Sequence, residues 1–131
     1  MLRIKQPFKS CRTLASTVAL LLMTGVAAAH HGWAWAEAEQ IDIEATVDQV
    51  TIAPPQPSLR VTASDGKKWQ VELGNPNQTQ RAGFVEGSAS PGNKVVIRGN
   101  RSSDPNELRI KAVRITVEGK AYDIYPERIK D

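Results

Sequence analysis

Histidines stand side by side at positions 30 and 31, and they are the only two in the chain. They open the stretch His30-His31-Gly32-Trp33-Ala34-Trp35, which also holds two of the three tryptophans. Imidazole is a nitrogen donor, and nitrogen-rich tetragonal sites suit Cu(II) and Ni(II). The pair gains ligand power if it lies at a free N-terminus. A chain beginning at His30 offers its amine and ring as a two-point chelate, with His31 beside it. A chain beginning at Ala29 places His31 third, where the amine, two deprotonated backbone nitrogens and the His31 ring can surround one square-planar ion. Because a terminal amine titrates near pH ~8, binding of either kind strengthens as pH rises through neutrality. The plainer alternative is a frayed polar terminus whose Trp33 and Trp35, alternate residues of an extended segment, pack on the domain that follows.

What precedes the pair decides whether such a terminus exists. The first twelve residues carry Arg3, Lys5, Lys9 and Arg12 with no acid, and an apolar run follows from Leu14 to Ala29, closing on small residues. That order is the charged, hydrophobic and cleavage regions of a secretory signal peptide. Ser16, Thr17, Thr24 and Gly25 interrupt the run, which is shorter than the ~20 apolar residues of a membrane span. Residues 1–29 are therefore read as a leader, cut after Ala28 or Ala29, and the protein as periplasmic or secreted without a stable membrane anchor.

Loss of the leader changes the electrostatics. The whole chain carries a formal charge of +3, from 17 basic and 14 acidic residues; with four basic residues removed, acids outnumber bases by one. A basic footprint for nucleic acid is absent. The single cysteine, Cys11, leaves with the leader, so the mature chain has no disulfide, no Cys-His nucleophile and no cysteine zinc site, and two histidines cannot make a three-His zinc site. Carboxylate pairs such as Glu37/Glu39 and Glu44/Asp48 read as solvated charges. Conventional catalysis is disfavoured.

From Ile41 the chain alternates apolar and polar residues. Ile41, Ile43, Ala45 and Val47 share a face, then the phase slips to Val50 and Ile52, the signature of a bulge or strand bend. Pro54, Pro55 and Pro57 end this strand. Leu59, Val61 and Ala63 lead into Ser64-Asp65-Gly66-Lys67, followed by Trp69, Val71 and Leu73: two alternating runs around Asp-Gly predict a hairpin. Asn75 to Glu86 predicts a short helix or helical turn. After a Ser90-Pro91-Gly92-Asn93 turn, Val95 and Ile97 open a strand ending at Gly99. Leu108, Ile110 and Ala112 then alternate, with a second phase slip to Val113, Ile115 and Val117. Glu118-Gly119-Lys120 turns into a last short strand with Tyr122 and Ile124. Three strands, a short helix and two more strands, with the first one bent and the short last strand appended, predict an all-β domain with one short helix: a small OB-like Greek-key barrel over residues 41–126, flanked by tails at 30–40 and 127–131. Trp69 is in phase with Val71 and Leu73, as a core residue would be; on an OB face it could instead join Tyr122 and Tyr125 as a stacking platform. The candidate ligand-binding residues are thus Trp33, Trp35 and Trp69, beside the candidate metal ligands His30 and His31.

These residues together resemble a known family. The leader followed by His30-His31-Gly32-Trp33, then Trp69-x-Val71-x-Leu73, Arg81-Ala82-Gly83-Phe84, the Gly92 turn with Gly99 closing the next strand, and Tyr122-Asp123-Ile124-Tyr125-Pro126 at the end, is similar to the exported bacterial family called domain of unknown function 6152. The resemblance implies a small periplasmic or secreted β-domain and carries no catalytic residue over. Members tend to have an Asn-Pro-His stretch between the first two strands, where this chain has Pro54-Pro55-Gln56. A metal site here would rest on the N-terminus alone, since a glutamine amide is a weak Cu(II) ligand. The expectation is a non-enzymatic exported binding module for a small ligand or an envelope protein, with copper or nickel at His30 and His31. A copper-dependent redox enzyme built on a terminal His30 and a purely structural interaction protein are the alternatives.

Overall fold

The computed structural model describes Arg3 and residues 32–131, so the leader, its cleavage point and the His30–His31 pair lie outside the described residues. Strands form where apolar alternation persists: β1 at Ile41–Thr51, β2 at Ser58–Ala63, β3 at Lys68–Glu72, β4 at Lys94–Arg101, β5 at Arg109–Val117 and β6 at Lys120–Asp123. One helix, α1 at Pro76–Arg81, separates β3 from β4, and a 3-10 turn at Pro126–Arg128 follows β6.

The two phase slips are both bulges. In β1, Val47 lies opposite Val61 of β2, but the next partners are Gln49 and Arg60, which leaves Asp48 as the extra residue. In β5, Arg114 faces Arg98 and Ala112 faces Gly99, so Val113 is the extra one. An added residue bends a strand and raises its twist. The bend lets β1 pair with β4 from Ile41 to Thr46 and with β2 from Ala45 to Thr51. One strand thereby serves two walls.

Neighbouring strands run in the order β3-β2-β1-β4-β5-β6, and β3 and β5 also pair in parallel, with Gln70 opposite Arg109 and Glu72 opposite Lys111. That pairing closes a five-stranded barrel with the OB order expected. The far half of β5 pairs instead with β6. Inward-facing Val47, Leu59, Val61, Val71, Ile97 and Ile115 are almost wholly buried, each worth about 1.5–3 kcal/mol of transfer from water. Phe84 is buried with them and meets Tyr122 edge to face, with centroids 5.2 Å apart.

Local chemistry sets the connections. In the β2–β3 hairpin, Gly66 adopts φ +83 and the Asp65 carboxylate accepts from the Lys67 N–H. The Asn75 side chain caps α1 by accepting from the Gln78 N–H at 2.8 Å, and Pro76 occupies the first turn, where its missing N–H costs nothing. The helix is shorter than the 75–86 stretch suggests. Gly83 at φ +85 turns the backbone out of the helix, and the Phe84 N–H bonds the Thr79 carbonyl as its ring enters the core. Strand β4 runs two residues past Gly99, because Asn100 and Arg101 find partners in Lys111 and Ile110 across the bulge.

Candidate functional site

Alternation along β5 points Ile110 and Ala112 into the barrel and Lys111 outward, where a lysine would ordinarily be solvated. Lys111 is 1 % exposed. Both ends of the domain cover it: the segment before β1 supplies Trp33, and the segment after β6 supplies Tyr125 and Arg128. The Trp33 and Tyr125 rings meet edge to face with centroids 5.0 Å apart. The Lys111 amine lies 5.6 Å from the centre of the Trp33 ring and 5.8 Å from that of Tyr125, and the Arg128 guanidinium is 4.2 Å from the Trp33 centre. Indole and phenol faces are electron-rich and attract cations, which favours both placements.

Backbone bonds secure the covering segments. The Glu37 N–H donates to the Arg101 carbonyl at 2.8 Å, the Ser103 N–H to the Trp35 carbonyl at 2.9 Å, and the Ala36 N–H back to Trp33 at 3.0 Å. The buried Asn100 amide donates to the carbonyls of Glu37 and Ala38. Gln40 links the two ends directly, donating to the Arg128 carbonyl at 2.6 Å and accepting from the Lys130 N–H.

Lys111 has no hydrogen-bonding or ion-pairing partner among the described residues. Its nearest acid by register is Glu72, whose Oε1 accepts from two guanidinium nitrogens of Arg109. Burial pushes the Lys111 amine below its ordinary value, with Arg109 and Arg128 adding to the effect and Glu72 opposing it. Burial likewise raises the Tyr125 phenol, which stays protonated. Beside Lys111 and Tyr125 opens a cleft of about 250 Å³ whose other walls are Pro55, Gln56 and Asn75. Gln56, from the Pro54-Pro55-Gln56 stretch between β1 and β2, thus comes to the same face as Trp33. The strands are far apart in sequence, and only barrel closure joins them.

Of the candidate ligand-binding residues, Trp33 and Trp35 are half-buried on this face, but not as alternate residues of an extended segment. Residues 33–36 form a turn closed by the Ala36-to-Trp33 bond, and the indoles reach different neighbours: Trp35 lies beside Arg109, whose guanidinium carbon is 3.8 Å from the ring centre. Its Nε1 is buried without a partner among the described residues. Trp69 is 8 % exposed and belongs to the core, with Arg101 over one side at 5.3 Å. Tyr122 packs on Phe84 inside, whereas Tyr125 lies on the capped face, so Trp69, Tyr122 and Tyr125 do not form one stacking platform. Among the described residues no three His, Cys, Asp or Glu side chains cluster as metal ligands. No described helix is long and apolar enough to cross a membrane.

Sequence reading passed over Lys111, Arg128 and Asn75. A lysine between Ile110 and Ala112 has the pattern of a solvated strand position, and nothing in that pattern says a distant tryptophan will cover it.

Fold and face define a small closed β-barrel whose two flanking segments lock together over one buried lysine. The chain matches the Family of unknown function (DUF6152) over residues 18–110 and belongs to that family. The matched stretch includes His30, His31, Trp33, Gln56 and Trp69 and stops one residue short of Lys111, so the closing Tyr122–Pro126 run lies beyond it. No curated protein matches the chain.

Proposed function

We propose that this protein is a non-enzymatic binding module of the cell envelope that acts from its capped face, with His30 and His31 at the terminus of the exported chain binding Cu(II) or Ni(II). The observation that carries this reading is the docking of Trp33 on Tyr125 and Arg128. Consecutive Cα atoms are about 3.8 Å apart, so a ligand bound at position 31 would lie within two residues' reach of that anchor. Such an anchor is what a binding element presented from this face would use. The charged, apolar and small-residue order of residues 1–29 supports export and supplies the free amine the chelate requires.

The test is to isolate the protein untagged from its own host and weigh it intact under native conditions. A chain starting at Ala29 or His30 that retains one copper or nickel ion is the expected result. A companion chain with residues fused ahead of His30 should lose tight Cu(II) binding and keep its fold; equal affinity in both would overturn the terminal chelate. A second reading, a structural interaction protein with no ligand, is favoured by the packing of Trp33 and Trp35 against the barrel, since such anchoring holds a tail in place without any metal. A variant lacking both histidines that retains full function would decide for it.

A further inference from the structure

The cleft beside Lys111 is built from polar groups that the fold itself leaves unused. Lys111 supplies the only charge among its five lining residues. Asn75 spends its side-chain oxygen on the Gln78 N–H at 2.8 Å, which leaves the amide nitrogen as a donor without a partner among the described residues. Gln56 does the reverse: its amide nitrogen donates to the Leu73 carbonyl at 2.7 Å and to Gly74 at 3.3 Å, and its oxygen remains as an acceptor. Tyr125 adds a phenol held in its protonated form. A buried ammonium with no direct ion-pair partner is costly; the Glu72 carboxylate offsets that cost only in part, and Arg109 and Arg128 add positive potential around it. Glu72, the one acid in register, is held by Arg109.

We propose that this cleft is a binding site for a small carboxylate, taken up by Lys111 and the Asn75 amide, with room beside Gln56 for a hydroxyl on the neighbouring carbon. The site is independent of the metal reading, because it uses neither histidine nor the terminal amine. Its size and charge select the class. A volume of about 250 Å³ falls below the ~300–1,000 Å³ usual for drug-sized ligands. A carboxylate matches the single ammonium in the lining, whereas a phosphate or sulfate meets no guanidinium fork there. The Trp33 and Tyr125 rings exclude water from one side of the amine, which strengthens its pairing with an anion.

Glycolate is the probe, titrated at constant ionic strength into the isotopically labelled full chain while side-chain amide and Tyr125 signals are followed by nuclear magnetic resonance. Saturable shifts of the Asn75 and Gln56 side-chain amides are expected, with affinity at least tenfold weaker in Lys111→Met and falling as pH rises and the amine loses its proton. Acetate should bind more weakly than glycolate, and sulfate more weakly than either. Unsaturable shifts, an unchanged affinity in folded Lys111→Met, or tighter binding of sulfate would overturn the site or its class. Covalent trapping of glyoxylate on Lys111 by borohydride, with no response to glycolate, would also overturn it and identify the amine as a nucleophile instead.

Discussion

A lysine enclosed by protein is accommodated by shedding its proton or by acquiring an anion, and Lys111 is enclosed on three sides by Trp33, Tyr125 and the barrel wall. Its amine is held below its ordinary value of 10.5 by burial, the largest cause, opposed next by Glu72, with Arg109 and Arg128 adding smaller downward effects. In the unfolded chain that value is restored. Between the lowered folded value and 10.5 the unfolded state binds the extra proton, so stability rises with pH through that window. Below the window the cost of the enclosed charge is fully present. Lys111→Met should therefore be more stable than the parent near neutral pH, by about 1–3 kcal/mol, and the difference should narrow as pH climbs toward 10. Tyr125 titrates in both chains and cancels in the comparison. Thermal melts of the two proteins from pH 6 to 10 check this, and a difference that stays constant with pH would contradict it.

At the scale of elements, the two bulges and one glycine make the barrel close. Gly99 sits where β4 passes the bulge in β5, and a Cβ there would lie 2.1 Å from the Lys111 carbonyl oxygen. Backbone cannot yield as a side chain can, so β4 and β5 would have to part at the point where Lys111 is positioned. Gly99→Ala should cost about 3 kcal/mol, the upper end for an overpacked site. Gly66→Ala meets nothing within 4 Å and strains only its own backbone, so its smaller loss serves as the internal comparison. Urea denaturation of both variants measures the contrast; equal midpoints would show that the β4–β5 approach is not tight. Both phase slips were legible in the sequence, because a single extra residue moves every later apolar side chain to the other face.

The molecule as a whole is a barrel with its ends knotted outside it by side chains. Gln40 joins the N-terminal segment to Arg128 and Lys130, Asn100 holds Glu37 and Ala38, and Trp33 fills the space between. A fully buried indole removes roughly 200 Å² from water, and half that area is worth about 2 kcal/mol. Trp33→Ala should thus speed hydrogen exchange at the Ala36, Glu37 and Lys130 amides by roughly thirtyfold. The Val61 and Ile97 amides in the barrel wall should keep their protection. Uniform loss of protection through the barrel would mean that the covering segments and the barrel unfold as one unit.

The sequence by itself determined the all-β class, the Asp-Gly hairpin, the bulges and the positions of most strands, because alternation and turn chemistry act between residues close together in the chain. It also drew attention to Trp33 and Trp35, as candidate ligand-binding residues with packing on the barrel as the plainer alternative. What only the tertiary structure decided is the covered lysine. Lys111, Tyr125, Gln56 and Asn75 lie on separate elements that meet because β3 and β5 close in parallel, and Trp33 joins them because the chain ends fold back across that seam. An outward strand lysine and a buried one have the same local pattern; burial is conferred by a partner about eighty residues away, and no periodicity carries that information.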